Sequence, residues 1–141
     1  MTAQQPQQRV VRQLSFEGNH ALSDETLAAA IVTTNSSWFA RGFLRFLGLG
    51  AKRYFDEQEF RRDVVRLTVL YRRSGYPDAV TDTLVKRTAE DVYITFKIQE
   101  GTPILVTNLT ISGMDSVTPR VRRNVLLDLP LQEGDPFNRF A

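Results

Sequence analysis

Two clusters of acidic residues could carry acid–base chemistry, and both lie where helices are predicted to begin. Acidic side chains cluster at Asp24 and Glu25, and again at Asp56, Glu57 and Glu59. A carboxylate at a helix N-terminus accepts hydrogen bonds from free amides and interacts favourably with the positive end of the helix dipole. We therefore interpret both clusters as helix caps rather than as paired general acids.

Other chemically active side chains are fewer still. His20 is the single histidine and sits beside a predicted turn, where a solvent-facing side chain is the simplest interpretation. There is no cysteine, which excludes disulfides and cysteine–metal sites, and a lone histidine does not make a transition-metal site. No glycine-rich loop has the spacing of a phosphate cradle. The sequence therefore predicts a protein that is not an enzyme and binds no cofactor, with a small α+β enzyme as the alternative from another class.

Composition and charge bound the class of protein. The chain has 141 residues, 42% hydrophobic and 24% charged, as in a soluble globular fold of one domain, or of one small domain and part of another. A net charge of +2 gives no reason to expect a nucleic-acid partner. No apolar run approaches the roughly 20 residues that span a bilayer. Residues 1–8 are polar and are predicted to form a disordered leader without a signal peptide.

Apolar periodicity predicts a strand and then a helix. From Arg9 the sequence alternates, which is typical of a half-buried strand. One face is expected to carry Val10, Leu14 and Phe16, and the other Val11, Ser15 and Glu17. The turn Gly18-Asn19 follows, since both residues tolerate positive φ. Ser23 is then placed to cap a helix that should run to about Val32.

A longer helix and two strands come next. The helix should begin at Asp56 and end before Gly75, a residue type that suits the left-handed position after a helix. Its buried stripe is expected to consist of Phe60, Val64, Leu67 and Tyr71. Residues 79–87 and 92–99 are predicted to be strands joined by a hairpin turn. The inward side chains of the last strand should be Val92, Ile94, Phe96 and Ile98.

The order β-α-α-β-β predicts an α+β fold, a two-layer sandwich in which two helices cover a three-stranded sheet. Arginines decorate the second helix, at positions Arg61, Arg62, Arg66, Arg72 and Arg73. We interpret them as a solvated face with acidic partners such as Glu59 or Asp63. A nucleic-acid surface would need aromatic residues interleaved with them, and none are.

The start of this pattern returns near the end of the chain. Gly113 takes the place of Gly18, and Thr118 takes the place of the cap Ser23. The strand positions of the second occurrence are Leu105, Leu109 and Ile111.

The repeat predicts a first unit over residues 9–101, with an insertion at 33–54, and the N-terminal part of a second copy over residues 102–141. A truncated copy lacks the strands that would bury its apolar face. We therefore expect either that the given sequence is a piece of a longer chain or that this copy pairs or swaps with another chain.

Three stretches of the first unit have a more specific character. They are "FEGN" at 16–19, "FRRDVVRLTVLYRRSGYPDAV" at 60–80 and "VYITFKIQEG" at 92–101. With them the unit resembles a polypeptide-transport-associated (POTRA) domain of the BamA-like outer-membrane β-barrel assembly factors. The residues that carry the structural motif are Gly18, Asn19, Asp63, Leu67, Tyr71, Gly75 and Tyr76.

The resemblance implies a mixed sheet with strand order 1-3-2, which puts residues 79–87 at an edge. An edge strand offers unpaired amides and carbonyls, to which an extended peptide can add a strand. The expected peptide-binding edge consists of Val80, Thr81, Asp82, Thr83, Leu84 and Val85. Val80 and Leu84 are expected to face inward, and the two threonines and Val85 outward. The alternative is that Asp82, Lys86 and Arg87 merely protect this edge.

The segment 36–53 mixes basic and aromatic residues, which is the composition of an interfacial segment. The residues that could contact a membrane or a partner are Trp38, Phe39, Arg41, Phe43, Arg45 and Phe46. The alternative is a short extra helix packed on its own domain.

The link between the two units, "EGTP" at 100–103, leaves little slack. We interpret Gly101 as a hinge and Pro103 as a stiffener. The sequence thus predicts an articulated arm.

The resemblance also implies a function without covalent chemistry. Tandem POTRA domains of this family lie in the periplasm before a C-terminal barrel in the outer membrane. The implied partners are unfolded outer-membrane protein clients, neighbouring POTRA domains and the barrel, with accessory lipoproteins and the membrane surface as further candidates. The alternative within the family is an arm of a two-partner secretion transporter, which binds one exported client.

Overall fold

A three-stranded sheet and the two helices packed on it form most of the regular secondary structure of the described residues. A computed structural model of the chain describes residues 8–33 and 54–139. The elements follow in the order β1 (Val10–Glu17), α1 (Asp24–Ala30), α2 (Glu57–Arg73), β2 (Val80–Arg87), β3 (Asp91–Gln99) and α3 (Pro119–Leu127). The first five elements confirm the predicted β-α-α-β-β order and the α+β fold class.

α1 begins where the sequence predicts and ends earlier. The Ser23 side chain accepts a hydrogen bond from the Thr26 amide at 3.3 Å, which caps the first turn. Leu27 is fully buried against the sheet and α2. The helix ends at Ala30 rather than near Val32, because the Val32 amide bonds to a side chain of α2 instead of continuing the helical ladder.

α2 has the predicted cap, stripe and end. Asp56 accepts hydrogen bonds from the amides of Gln58 and Glu59 at 2.8 and 2.9 Å. The stripe that packs on the sheet consists of Phe60, Val64, Leu67 and Tyr71. Gly75 follows the helix at φ +99°, in the left-handed region that favours glycine.

The sheet has the order β1-β3-β2 that the family resemblance implies. β1 runs parallel to β3 and β2 runs antiparallel to it, so the sheet is mixed. The central strand alternates as predicted, because its inner side chains are at most 5% exposed. These side chains are Val92, Ile94, Phe96 and Ile98.

The first side chains of β1 face the opposite way from the prediction. Val11 is 1% exposed and Val10 is only half-buried, the reverse of the expectation. The register to β3 shifts between Val11 and Gln13, so Arg12 is the extra residue of a β-bulge. The bulge lets Val11 share the inner face with Leu14, which simple alternation from Val10 could not show.

Residues 102–139 contain α3 and little other regular structure, and we call them the second segment. No strand forms over residues 105–111, where Leu105 makes only an isolated bridge to Pro136. No residue of α3 is buried. In the first unit β1 is held by pairing to β3, and the described part of the second segment has no such partner strand. The structure therefore does not show the predicted second copy.

Candidate functional site

β2 forms one outer edge of the sheet. It pairs with β3 on one side, and no described residue pairs with its other side. The opposite edge is partly covered, because Tyr54 forms a bridge with Val10 and the Phe55 amide donates to the Arg9 carbonyl at 2.7 Å. Within residues 8–33 and 54–139, β2 is therefore the more open of the two edges.

The side chains of β2 face the opposite way from the prediction. Val80 and Leu84 are 51% and 58% exposed, so they lie on the outer face. Thr81 is buried, and Thr83 and Val85 are half-buried. Their antiparallel partners are the core residues Ile98, Phe96 and Ile94 of β3. Residues directly opposite each other share a face, so the register to β3 overrides the hydrophobicity on which the prediction was based.

The Thr83 amide shows which backbone groups point to the open edge. It donates to Oδ1 of Asp82 at 2.7 Å, so it does not belong to the ladder with β3. In an antiparallel pair, residues bonded to the neighbour alternate with residues whose amide and carbonyl point away. Thr81, Thr83 and Val85 therefore present their backbone groups to the open edge.

Charged and apolar side chains alternate along the outer face of β2. In order they are Val80, Asp82, Leu84 and Lys86, all exposed. Lys97 lies directly across from Asp82, yet no ion pair joins them among the described residues. Arg87, at the end of the strand, pairs with Glu57 of α2 at 3.1 Å. The row beside the open edge thus carries one acid and one base with an apolar residue between them.

Thr81 carries a buried hydroxyl without a partner. The residue is 8% exposed, and its Oγ1 makes no hydrogen bond to any described residue. Leaving a buried hydroxyl unpaired costs about 1–3 kcal/mol. The edge strand therefore keeps an unfavourable polar atom on its core side.

Asp63 joins the two helices of the first unit. Its side chain is fully buried, and its carboxylate accepts hydrogen bonds from the amides of Val32 at 2.9 Å and Thr33 at 2.7 Å. Arg66 donates to it at 2.5 Å, and this bond with that to Glu59 holds the pKa of the guanidinium above its ordinary value. The family motif predicted Asp63 as structural, and the amides left free beyond α1 explain why an acceptor is needed there.

Sequence reasoning missed Glu100, which follows β3. Its Oε1 accepts hydrogen bonds from the Tyr71 hydroxyl at 3.1 Å and from the Ala21 amide at 2.7 Å. Burial, and then this carboxylate, raise the pKa of Tyr71 above its ordinary value. The sequence did offer one signal that Tyr71 has a hydrogen-bond partner, since a buried tyrosine hydroxyl in a helical stripe usually finds one. His20 has a side chain that is 87% exposed, as expected.

Gly18 and Asn19 shape the turn after β1. Gly18 has φ +81°, and a Cβ at this position would lie 2.2 Å from the Ile98 carbonyl oxygen. The Asn19 side chain donates to the Leu22 carbonyl at 3.0 Å and to the Asp24 carboxylate at 2.7 Å. These two motif residues position the start of α1 against the end of β3.

Gly75 and Tyr76 lie where the second segment meets the first unit. The Gly75 carbonyl accepts a hydrogen bond from the Ile104 amide at 2.8 Å. A Cβ on Gly75 would lie 2.8 Å from the Phe137 amide nitrogen. Tyr76 packs edge-on against Tyr71, with ring centroids 6.0 Å apart. Gly75 therefore serves this junction, and Tyr76 packs against the core beside it.

The predicted hinge lies between the end of β3 and this junction. Gly101 has φ +73°, and Pro103 is half-buried. The chain is tied down at the next residue, through the Ile104 bond to Gly75. Movement at Gly101 stays a prediction.

The aromatic and basic residues of the insertion lie outside the described residues, namely Trp38, Phe39, Arg41, Phe43, Arg45 and Phe46. Of the five arginines of α2, three pair with acids as interpreted: Arg61 lies 3.7 Å from Glu57, Arg62 bonds to Glu59, and Arg66 bonds to Glu59 and Asp63. In the described ranges there is no group of three or more metal-ligating side chains. No helix there is long and apolar enough to cross a membrane.

Comparison with known proteins identifies relatives of this fold. The POTRA family model, described as "Surface antigen variable number repeat", matches residues 10–101. The outer membrane protein assembly factor BamA of Neorickettsia risticii (strain Illinois) is 30% identical over 102 residues, which are 72% of this chain and 13% of that protein. The crystal structure of Haemophilus influenzae BamA POTRA3-5 aligns with a TM-score of 0.52 at 20% identity, over 97% of this chain and 52% of that chain. The chain thus spans a small part of the curated relative and about half of the solved structure.

Proposed function

The chain belongs to the POTRA family, and we propose that it is a periplasmic binding and scaffold module of an outer-membrane β-barrel assembly factor. It acts without covalent chemistry. Extended segments of unfolded client proteins pair with the open edge of β2, and neighbouring domains and the barrel of the same protein hold the module near the membrane. Its resemblance to BamA supports this assignment of place and partners.

The open edge of β2 is the observation that carries the proposal. Thr81, Thr83 and Val85 direct backbone amides and carbonyls away from β3, and no described residue pairs with them along a ladder. Main-chain pairing depends little on the client's side chains. It therefore suits clients that share alternating, extended segments but differ in sequence.

A proline at Thr83 tests this pairing with little damage to the sheet. Because the Thr83 amide is not bonded to β3, its loss leaves the ladder intact, whereas proline removes the central donor of the open edge. The Thr83→Val variant retains the amide and serves as the matched control. The probe is a ten-residue peptide of alternating apolar and polar residues, titrated into the full chain while backbone amide shifts are followed by NMR.

The proposal expects shifts along β2 in the unmodified chain and in Thr83→Val, and their loss in a folded Thr83→Pro. A peptide N-methylated at every residue of its alternating stretch, which has no amide left to donate from either edge, should bind to none of the three. If the folded Thr83→Pro variant binds the peptide as tightly as the unmodified chain, the open edge is not the pairing site. Circular dichroism checks that the proline variant is folded.

A further inference from the structure

The open edge of β2 is closed at its centre by the strand's own side chain. The Asp82 carboxylate accepts the Thr83 amide at 2.7 Å, and this amide is the central donor that a pairing strand would use. A charge-assisted hydrogen bond of this kind is stronger than a neutral one. An incoming strand therefore has to displace the carboxylate before it can pair at this position.

The surroundings of Asp82 leave its charge available to a partner. Asp82 is exposed on the outer face, and no ion pair within the described residues engages it, although Lys97 is its cross-strand neighbour. The next outer-face residues on either side, Val80 and Leu84, are apolar and more than half exposed. The row beside the open edge is thus apolar, acidic, apolar.

From this geometry we propose that Asp82 is a gate that makes the edge selective for extended segments with a basic residue between two apolar ones. The inference rests on the proposed pairing at β2. Neighbouring strands point their directly opposed side chains to the same face, so a lysine or arginine of the incoming strand lies beside Asp82. This basic side chain forms an ion pair with the Asp82 carboxylate, which then no longer accepts the Thr83 amide. The amide is free to bond to the incoming strand. An acidic residue at that position meets a like charge and leaves the amide capped.

The pattern has a useful symmetry. An apolar–basic–apolar arrangement at alternate positions matches Val80, Asp82 and Leu84 whether the incoming strand runs parallel or antiparallel to β2. The preference for the basic residue therefore does not depend on strand direction. Lys86, the next residue of the outer row, breaks the symmetry and would favour an acid at one end only.

Two peptides that differ at one position test the gate. Both are extended nine-residue peptides with apolar residues two places before and after the central position, which is Lys in one and Glu in the other. Dissociation constants are measured by calorimetry with the full chain and with Asp82→Ala. Asp115→Ala is the matched control, because it removes one exposed carboxylate from the second segment and so changes the net charge equally.

We expect the dissociation constant of the lysine peptide for the unmodified chain to be lower than that of the glutamate peptide by about fivefold or more. The lysine makes a favourable cross-strand charge pair with Asp82, and the glutamate makes an unfavourable one. In Asp82→Ala the preference should vanish, because the glutamate peptide gains affinity when the Thr83 amide is uncapped. Asp115→Ala should keep the preference. NMR should show the Thr83 amide signal move on Asp82→Ala even without peptide.

A failure of the gate and a failure of the proposed pairing would give different results. If both peptides bind the unmodified chain equally, or if Asp115→Ala reduces the preference as much as Asp82→Ala does, Asp82 is not a gate, while edge pairing stands. If neither peptide causes shifts along β2 in any variant, the proposed pairing itself is wrong, and the gate fails with it.

Discussion

The first unit and the second segment share an apolar pattern and differ in what becomes of it. In the first unit, apolar residues of both helices pack against one face of the sheet, and Leu67 of α2 is fully buried. In the second segment the corresponding side chains of α3 stay open to solvent: Leu127 is 68% exposed, and Val121, Val125 and Leu126 are 43–50% exposed. Burial of an apolar side chain stabilises a fold by about 1.5–3 kcal/mol. The second segment therefore gains little of this stabilisation by itself.

A periodic pattern identifies an apolar face and not the layer that covers it. α2 is amphipathic and packs on the sheet, whereas α3 is amphipathic and has no sheet beneath it among the described residues. Backbone hydrogen bonds attach the second segment to the first unit, such as that from the Ile104 amide to the Gly75 carbonyl. Equivalent substitutions in the two regions should therefore have very different effects.

The largest difference is expected for leucine-to-alanine changes in the two helices. Leu67→Ala leaves a cavity in the core and should lower the free energy of unfolding by about 2–5 kcal/mol. Leu127→Ala removes a side chain that is mostly exposed and should change it by less than about 0.5 kcal/mol. Urea unfolding of both variants, followed by circular dichroism, measures the difference. Comparable losses would mean that α3 has a packing layer of its own in solution.

Glycines at matched turns should give the next largest contrast. Gly18 and Gly113 have φ of +81° and +84°, but only Gly18 lies against another strand, where a Cβ would fall 2.2 Å from the Ile98 oxygen. Gly18→Ala should cost about 2–4 kcal/mol through backbone strain and the clash. A Cβ at Gly113 would meet open space, so Gly113→Ala should lower the free energy of unfolding by about 1–2 kcal/mol at most, through local backbone strain. Thermal unfolding of the two variants compares them, and equal shifts in Tm would remove the structural distinction between the two turns.

The buried tyrosine gives the first unit a dependence on alkaline pH. The pKa of Tyr71 is raised in the folded chain by burial and by Glu100, so the folded state keeps the proton that the unfolded state loses above its ordinary pKa of about 10. Stability should therefore be intact below pH 10 and fall as pH rises above it. Tyr71→Phe should lose about 1 kcal/mol near pH 7, where the hydroxyl still bonds to Glu100, and should show a shallower decline between pH 10 and 11. An unchanged slope in urea titrations at these pH values would assign the alkaline loss to other groups.

The sequence was most informative where local chemistry decides structure. The Ser23 and Asp56 caps, the stripe of α2 and the alternation of β3 follow from neighbours a few residues apart, and the structure confirms them. The strand order came from the family resemblance rather than from periodicity. Local signals were enough for the elements of the first unit because caps and turns satisfy backbone groups of the same segment.

Prediction failed where a distant part of the chain decides. Val80 and Leu84 face outward because β3 sets the register of β2, and Val11 faces inward because a bulge at Arg12 shifts β1. Neither pairing can be read from one strand alone. The same holds for the candidate site. The sequence correctly predicted that the residues of the edge form a strand. It could not predict the bond from the Thr83 amide to Asp82, because that bond depends on which backbone groups point to the open edge.

The smallest contrast concerns two threonine hydroxyls, and it has the opposite sign. Thr81 Oγ1 is buried without a partner, whereas exposed Thr110 donates its hydroxyl to Asn108 at 3.0 Å. Thr81→Val keeps the shape of the side chain and should raise the free energy of unfolding by about 1 kcal/mol, since it removes an unpaired polar atom. Thr110→Val should change it by less than about 0.5 kcal/mol. If urea unfolding shows that Thr81→Val destabilises the chain, the hydroxyl has a hydrogen-bond partner in solution. Water would then reach the core side of β2, unlike the core of the rest of the first unit.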